Sequence, residues 1–448
     1  MKQIETDVFV LGAGAGGIGC VYRLLKNGIK TVVVDKNNDF GGTMVFGGVD
    51  GWEPGVSLDG MHTLLYEELC KIENGCHVVE VVPNINIFCP DNGYDWSKHS
   101  FSERPWGLSV PTGKAYDDTM KRCTFLRGNA SCVRLQFDSE YMPIAVRRVL
   151  EPYADSLTEL FGYSFAECKT ENGKILSVTV TNGEEKVEVY AKYFVDCSGD
   201  IVLARSAGCE YAFGTEGKEA YGEPCADKES DNVNAVTYVF RVSPTEDKDH
   251  IDKIPDEYAK VDVSDFTEGG MRKRISCFTL YPNGDINVNM LPTLEGKEYF
   301  KLGDKADAVG RARVYRYWHF LQTERGMKGY RLVKIFDAGI RESYRLVGKY
   351  VLTENDVRAG LTKQPKVGRT VAIADHALDV HGSGGMCREL EIPYEIPLEC
   401  TEAKELDNLF VACRGASFSH IASASVRLSR TMLSLGEGVG EYISEIIK

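Results

Sequence analysis

Apolar residues near the start of the chain form two short runs that flank an amphipathic stretch. The runs cover residues 8–11 and 31–34, and the residues between them mix apolar and polar positions at helical spacing after a glycine-rich segment. Short apolar runs bounded by glycine are typical of buried strands, and a period near 3.6 is typical of a helix. The pattern predicts a strand, a glycine turn, a helix and a second strand.

The glycine turn has the spacing G-x-G-x-x-G, at Gly12, Gly14 and Gly17. In a dinucleotide-binding turn the first glycine permits the bend, the second lets the backbone approach a pyrophosphate, and the third lets helix and strand pack closely. The helix N-terminus offers N–H groups to phosphate, and Asp35 lies where a carboxylate can bind a ribose. The sequence therefore predicts dinucleotide binding; in the alternative, the glycines only pack.

Further along the chain, apolar and polar residues again predict strands separated by turns. Polar turns separate alternating runs that predict an antiparallel meander, followed by a buried strand that ends in the small-residue turn Cys197-Ser198-Gly199-Asp200. Beyond residue 215, a Pro-Asn-Gly turn at 282–284 predicts a hairpin. The predicted strands are 162–167, 174–180, 186–191, 193–196, 236–242, 274–281 and 285–290, and the predicted helices are 61–72, 140–150, 311–331 and 425–447. The segment 408–415 precedes the last of these helices.

Composition limits the class of protein. The chain has 448 residues, 43% of them apolar, and a net charge of −14, which disfavours binding to nucleic acid or anionic membranes. The basic and aromatic residues between 311 and 331 have helical spacing, which favours a core with a solvated face. No apolar run reaches the roughly 18 residues that cross a bilayer, and the N-terminus does not resemble a signal peptide. We expect a cytoplasmic protein.

The 14 cysteines contain no C-x-x-C pair, which argues against an iron–sulfur cluster or a ribbon-type zinc site. We interpret them as small buried residues in a reducing compartment. Asp375, His376, Asp379 and His381 could suggest a metal site, but no other ligand cluster supports one. We expect no metal.

Several separate blocks resemble one family, the FAD-dependent oxidoreductases with a glutathione-reductase-type FAD fold, and in particular a broad, mostly uncharacterised bacterial group. The blocks occur in order from residue 5 to residue 445. They are Gly12 to Gly17 with Asp35-Lys36, Gly41-Gly42-Thr43, Asp196 to Asp200, Ala338 to Arg345, Leu378 to Gly382, Ile392 to Leu398, Asn408 to Arg414 and Ser419 to Arg427.

The resemblance implies an extended, noncovalently bound FAD. It places the adenosine at Asp35, the pyrophosphate at the first glycine turn, and the flavin near a helix that starts at 422–426, whose N-terminus would supply positive potential to the reduced flavin. His62 is a conceivable covalent tether. The implied cofactor contacts are Gly12, Ala13, Gly14, Ala15, Gly16, Gly17, Asp35, Lys36, Gly41, Gly42, Thr43, Met44, Phe165, Ala166, Ser198, Gly199, Asp200, Arg414, Ser425 and Val426.

The implied fold class is α/β, with a Rossmann-like FAD-binding domain that combines a parallel sheet with the antiparallel meander, and an inserted α+β substrate domain. We predict a discontinuous FAD-binding domain over residues 1–45, 138–214 and 370–448. Residues 46–137 form an inserted region, and residues 215–369 form a substrate or cap domain.

Hydride transfer to a flavin requires a group that takes the substrate's other proton. His381 in the D-x-H block is the first candidate base, with Asp379 as a possible orienting group, and His420 is the second. Arg341 and Glu342 could clamp an oxygen-rich substrate, with Arg427 as a further anion contact. The alternative is an internal network of arginine and glutamate that ties the domains together.

The sequence thus predicts an FAD-dependent oxidoreductase, a dehydrogenase or reductase that exchanges a hydride with a small hydroxylated or carboxylated metabolite. The expected partners are that metabolite and an electron donor or acceptor of unspecified identity, with no nucleic acid and no membrane. Two alternatives remain open, an NAD(P)-dependent dehydrogenase and a flavin-binding protein without turnover.

Overall fold

A computed structural model of the protein describes residues 1–53, 55–56, 60–81, 101–102, 132–268, 271, 276–289, 291–382 and 384–447. Its centre is a parallel sheet built from segments far apart in the chain. Val10 pairs with Val33 on one side and with Val195 on the other. The strands, in spatial order, are Leu409–Val411, Tyr193–Asp196, Val8–Leu11, Thr31–Asp35 and Leu157–Phe161.

A second sheet contains the meander. Ser164–Glu171, Lys174–Thr181 and Lys186–Tyr190 are antiparallel neighbours, close to the predicted ranges, and Lys2–Glu5 adds a parallel strand at one edge. Together with the parallel sheet, this confirms the α/β class and the Rossmann-like architecture. The domain boundaries remain a prediction.

Two long helices, Ala15–Lys26 and Ser429–Ile446, pack against each other through glycines. A Cβ atom on Gly436 would collide with the carbonyl oxygen of Gly16, and one on Gly19 would collide with that of Leu433. Arg23 bonds Glu437 and Asn27 bonds Glu441, each pair 414 residues apart. The helices therefore run in the same direction, and the start of Ala15–Lys26 lies against the second turn of Ser429–Ile446, at Leu433 and Gly436.

The cap region forms a four-stranded antiparallel sheet among the described residues, in the order Cys277–Leu280, Ile286–Asn289, Thr237–Pro244, Tyr330–Gly339. Alternate residues of these strands, such as Phe240 and Val288, join Trp318 of the helix Ala306–Glu324 in a separate apolar core. The basic and aromatic run therefore packs as a helix up to Glu324, as its spacing predicts, but the prediction of a helix up to residue 331 is wrong, because a strand begins at Tyr330.

The inserted region contributes the helix Met61–Cys70 and a small sheet of Gly51–Trp52, Cys132–Phe137, Cys76–Val81 and Phe101–Ser102. Trp96 and Trp106 lie outside the described residues.

Other short elements complete the described part of the chain. The helices and 3₁₀ turns among them are Gly42–Met44, Met142–Leu150, Glu151–Ser156, Val202–Ser206, Lys218–Tyr221, Asp256–Ala259, Ser264–Glu268, Gly296–Leu302, Gly303–Lys305, Glu354–Lys363 and Leu398–Cys400. The short strands are Tyr211–Ala212, Arg345–Leu346, Thr370–Ala374, Leu378–Val380, Met386–Arg388 and Tyr394–Pro397.

The prediction of one terminal helix over 425–447 is wrong. The chain forms the helix His420–Val426 and then Ser429–Ile446, and Leu428 between them has extended backbone angles (φ −64°, ψ 142°). The turn lets each helix pack in its own direction, a choice that the continuous run of small residues does not reveal.

We predict that Gly436→Ala lowers the free energy of unfolding by about 1–3 kcal/mol, because the methyl group has no space against Gly16. Alanine has the higher helix propensity, so a gain in stability would contradict this account of the packing. Ser434→Ala, on the same helix, is the matched control and should change stability by less than about 0.5 kcal/mol. Urea unfolding of both variants measures the difference.

Candidate active site

The first glycine turn lies against the ends of two strands and leaves one side open. Gly12 has φ +105°, and a Cβ atom on it would strike the backbone of Cys197. A Cβ on Gly17 would strike the carbonyl oxygen of Gly12, the close packing that the spacing predicts. By contrast, a Cβ on Gly14 would meet only the Cα of Gly42, at 3.7 Å. The open side is therefore bounded by the two glycine turns.

The second glycine turn is held to the first by backbone contact. Gly41 N–H donates to the carbonyl of Ala13 at 2.9 Å, and a Cβ on Gly42 would come 2.7 Å from the Cα of Gly14. Thr43 and the buried Met44 continue this turn as a 3₁₀ helix. The structure thus brings together two segments that the sequence separates by about 25 residues.

Asp35 is half-buried and holds the first turn in place. Its carboxylate accepts the N–H of Ala13 at 2.7 Å and both the backbone and side-chain N–H groups of Asn37, at 2.8 and 2.9 Å. Tyr163 N–H donates to the carbonyl of Asp35 at 3.1 Å, so the strand that carries Phe165 and Ala166 starts beside it. Phe165 is half-buried, while Ala166 and Lys36 are exposed.

The small-residue turn after the strand Tyr193–Asp196 has two kinds of polar group. Asp196 is fully buried and accepts the N–H groups of Leu203 and Ala204, at 2.9 and 3.0 Å, and burial raises its pKa. Ser198 also donates to Asp196, at 2.6 Å, and is therefore part of this internal cap. Sequence reasoning missed the role of Asp196, although an acid before a short helix is the usual signal.

Asp200 has a different set of partners from Asp196. It accepts the Arg414 guanidinium at 2.8 Å and the hydroxyl of Ser343 at 2.7 Å. Gly199, with φ +82°, lies directly against the guanidinium of Arg414. Gly199, Asp200 and Arg414, predicted separately, are therefore in contact.

The start of the helix His420–Val426 is occupied by protein groups. Glu216 accepts the N–H of His420 at 2.8 Å, and Ser419 accepts that of Ala422 at 3.1 Å. Ser425 bonds Tyr394 and the carbonyl of His376, and both Ser425 and Val426 are buried.

The start of the helix Ser429–Ile446 differs. Trp52 donates to Ser429 at 3.0 Å and stacks on His62, with ring centroids 4.1 Å apart. Arg430 bonds Asp375 at 2.5 Å, but its Nε and Nη1 have no partner among the described residues. Both ring nitrogens of His62 and the hydroxyl of Thr431 also lack one there. Burial, with the charge of Arg430, lowers the pKa of His62 to about 3.

His381 and Asp379 form a close pair. His381 Nε2 lies 2.7 Å from Asp379 Oδ2, as the extended geometry of the segment allows. Arg427 donates to the carbonyl of Asp379 at 3.1 Å and lies 3.3 Å from its carboxylate. His376 lies 3.9 Å from the same carboxylate and 3.4 Å from Glu53. Candidates that are only loosely grouped in the sequence thus converge on one carboxylate.

Positive charge dominates the electrostatics at His381. Burial, with the charge of Arg341, lowers the pKa of His381 to about 4. Burial, with the charge of Arg427, lowers the pKa of Arg341 to about 9. Burial opposes ionisation of Asp379, but its hydrogen bonds to His376 and His381 prevail and hold its pKa well below the ordinary range. At neutral pH the imidazole of His381 is therefore neutral and Asp379 is ionised.

His420 belongs to a second, fully buried network. Its Nδ1 lies 2.9 and 3.0 Å from the two carboxylate oxygens of Glu342, which also pairs with Arg345 and accepts the amide of Asn234 at 2.7 Å. Burial opposes ionisation of Glu342, but His420 and Arg345 keep its pKa below the usual value. Arg341 instead donates to Ala235 and Thr237. Arg341 therefore belongs to the cluster at His381 and Glu342 to the cluster at His420, so the two residues of the predicted clamp lie in different clusters.

Asn234 connects the two histidine clusters, because its side-chain oxygen Oδ1 accepts the backbone N–H of His381 at 2.9 Å. Sequence reasoning missed Asn234 and Arg345, since neither lies in a recognisable spacing with its partners. Within the described residues, no group of three or more His, Cys, Asp or Glu side chains has the arrangement of a metal site. Nor is any helix of the described part long and apolar enough to span a bilayer.

Curated relatives match only in part. The 3-oxosteroid 1-dehydrogenase of Rhodococcus opacus is 35% identical over 54 residues, 12% of this chain and 11% of that protein. The thiamine thiazole synthase of Sulfolobus acidocaldarius is 34% identical over 92 residues, 18% of this chain and 31% of that protein. The chain thus spans less than a third of the length of these relatives.

Solved structures resemble the fold at low identity. A geranylgeranyl bacteriochlorophyll reductase-like protein from Thermoplasma acidophilum has a TM-score of 0.45 at 12% identity, covering 99% of this chain and 78% of its own. The p-nitrophenol 4-monooxygenase of Pseudomonas putida has a TM-score of 0.43 at 12% identity, covering 100% and 80%. A model of the family described as FAD dependent oxidoreductase matches residues 7–447. The chain therefore belongs to the FAD-dependent oxidoreductase family, and FAD is its cofactor.

Proposed function

We propose that the protein oxidises or reduces a small hydroxylated or carboxylated metabolite by hydride exchange with flavin N5, with His381 as the base. The observation that carries the proposal is the His381–Asp379 pair beside two buried arginines. When bound, FAD supplies the two-electron redox chemistry. The family match sets aside NAD(P) as the only cofactor.

The glycine turns fit the cofactor. The open side at Gly14 and Gly42 gives a pyrophosphate access to backbone N–H groups at the start of the helix Ala15–Lys26. Asp35 keeps one lone pair on Oδ2 for a ribose hydroxyl, since each carboxylate oxygen can accept two hydrogen bonds and three of the four positions are used. We assign Asp200 and Arg414 to the phosphate–ribityl segment, and Phe165 to the adenine.

The positive potential for the reduced cofactor comes, in this proposal, from the helix Ser429–Ile446. This helix packs against the start of the helix Ala15–Lys26, and Arg430 in its first turn adds a buried charge with N–H groups that have no partner among the described residues. The helix His420–Val426, to which the sequence assigned this role, has its first N–H groups bonded to Glu216 and Ser419.

The cluster at His381 is arranged to receive an anion. Asp379 is the carboxylate that His381, Arg427 and His376 share, while Arg341 donates only to a carbonyl and a hydroxyl. A substrate carboxylate at Arg341 and Arg427 would neutralise the repulsion that lowers the pKa of His381, and the imidazole would become a stronger base. Asp379 would fix the orientation of the ring and stabilise its protonated form.

Loss of the open side should abolish FAD binding. We predict that Gly14→Asp yields a colourless protein, because the side chain places bulk and negative charge where the phosphates bind. Gly28→Asp carries the same charge at an exposed position with nothing within 4 Å of a Cβ, and it should retain the flavin absorbance. A yellow Gly14→Asp protein with the wild-type FAD content would contradict the assignment.

Removal of the base should slow chemistry without loss of cofactor. Purified holoenzyme is mixed anaerobically with a panel of hydroxylated and carboxylated metabolites, and bleaching of the flavin absorbance gives the reduction rate. With a compound that reduces the wild type, His381→Gln should react about 10²–10⁴-fold more slowly, whereas exposed His319→Gln should not change. If no compound reduces the flavin, the alternative of a binding protein without turnover is supported.

The pH dependence of flavin reduction should show how the charges of Arg341 and Arg427 affect the pKa of His381. The groups around His381 are Asp379, His376, Glu53, Arg341 and Arg427. Since the neutral imidazole is the active form and the pKa of His381 in the free enzyme is about 4, the second-order rate constant for flavin reduction at low substrate concentration should be constant between about pH 5.5 and about pH 8.

Removal of one positive charge should raise that pKa. Arg341→Met should therefore move the fall in rate to a higher pH than in the wild type, while the burial of His381, which is the larger cause of its low pKa, remains. Exposed Arg331→Met is the control and should keep the wild-type profile. A profile that Arg341→Met leaves unchanged would show that His381 is not the group that titrates.

A further inference from the structure

Two cysteines of the inserted region lie in contact with each other. Cys70 is the last residue of the helix Met61–Cys70, and Cys76 is the first residue of the strand Cys76–Val81. Their Sγ atoms are 3.4 Å apart. Cys70 is exposed and Cys76 is half-buried. The interpretation of the cysteines as small buried residues is therefore wrong for Cys70.

The backbone between the two cysteines forms a tight turn. Ile72 N–H donates to the carbonyl of Leu69 at 3.1 Å, and Gly75 N–H donates to that of Ile72 at 2.9 Å. A Cβ atom on Gly75 would come 2.2 Å from the carbonyl oxygen of Leu69, so glycine lets the chain return this close to the helix. Asn74 has φ +59°, a conformation that asparagine adopts more readily than most residues. Hydrogen bonds and close packing thus hold the two thiols side by side.

The inserted sheet fixes Cys76 from its other side. Cys76 lies opposite Phe137 in the antiparallel ladder, and Asp138 N–H donates to the carbonyl of Gly75 at 3.1 Å. The sulfurs of a disulfide are about 2 Å apart. The contact between Cys70 and Cys76 therefore has to shorten by only about 1.4 Å, which rotation of the two side chains can supply.

The two thiols differ in their access to a reagent in solution. Cys70 is exposed and can meet one directly. Burial, with the neighbouring Cys70, raises the pKa of the Cys76 thiol, so this thiol is protonated at neutral pH. Such a thiol reacts slowly with a molecule from solution, but attack on a group already in contact has a high effective concentration. Cys70 should therefore react first and Cys76 second.

We propose that Cys70 and Cys76 form a reversible dithiol–disulfide site whose oxidant is a low-molecular-weight disulfide. The Cys70 thiolate attacks one sulfur of the oxidant, forms a mixed disulfide and releases one thiolate. Cys76 gives its proton to solvent, attacks Cys70 Sγ and displaces the second thiolate. The two released thiolates take up the protons that the two cysteines lose. One external disulfide is thus reduced to two thiols, and the cysteine pair loses two electrons.

The new bond would join the end of the helix Met61–Cys70 to the inserted sheet across five intervening residues. The other end of this helix is already held, because Met61 N–H donates to Glu437 at 2.6 Å and Glu437 pairs with Arg23 of the helix Ala15–Lys26. The inference goes beyond the proposed function, since it invokes neither the flavin nor the cluster at His381.

The test incubates purified holoenzyme with an excess of oxidised glutathione, blocks the remaining thiols with iodoacetamide, and maps tryptic peptides of the denatured protein by mass spectrometry. Trypsin cuts after Lys71, so a disulfide between Cys70 and Cys76 joins two peptides that are separate in the reduced protein. We expect the joined peptides in most of the wild-type protein, and we expect an excess of reduced glutathione to separate them again.

Serine variants distinguish the two steps. Cys76→Ser should stop at the mixed disulfide and carry one glutathione on Cys70. In Cys70→Ser, the remaining Cys76 should react with glutathione at least about tenfold more slowly than Cys70 does in Cys76→Ser. Cys387→Ser removes another exposed cysteine and should form the disulfide as the wild type does. The flavin absorbance of each variant, compared with the wild type, checks that it is folded.

The wild-type protein alone can reject the inference. If both thiols survive the excess of oxidised glutathione, or if Cys70 keeps a glutathione that Cys76 does not displace, the pair is only a packing contact and the inference is wrong. A disulfide that an excess of reduced glutathione leaves intact would contradict the reversibility of the site.

Discussion

The fold depends on close contacts between main-chain segments at the start of the helix Ala15–Lys26. Gly12 lies on Cys197, Gly17 lies on the carbonyl of Gly12, and Gly16 lies on Ala412 and Gly436. None of these contacts leaves space for a methyl group. Together they fix the strand ends, the helix start and the final helix relative to one another. The open side at Gly14 exists because every other side of this turn is filled by main chain.

Burial of charge sets the protonation states of the side chains around Asp379. Arg341, Arg427, Asp379 and His381 lie together with little solvent, so each shifts the protonation of the others. Such a cluster is costly to fold unless a ligand repays part of the electrostatic strain.

Sequence patterns predicted those strands and helices whose position depends on nearby residues alone. The first strand–turn–helix–strand and the meander follow from short-range periodicity and turn residues, and the structure has them near the predicted positions. The strand Leu157–Phe161 was missed because it is an edge strand with two exposed residues and no clean alternation. The terminal helix was predicted as one because the break at Leu428 follows from packing and has no glycine or proline to mark it.

The residues of the candidate site also fall into those that the sequence predicts and those that it does not. His381 with Asp379 was predictable because the two are close in sequence. Asn234, Arg345 and Arg430 were not, because their partners lie on strands and helices that only the complete fold brings near.

The central sheet takes its middle strand from residues 8–11 and its outermost strand from residues 409–411. A ribosome that adds about 5–20 residues per second therefore needs about 20–80 s between these two segments. During that interval the glycine-rich helix has exposed the face that Ser429–Ile446 later covers. The helix Ala15–Lys26 therefore reaches its final packing only after the last segment of the chain has been made.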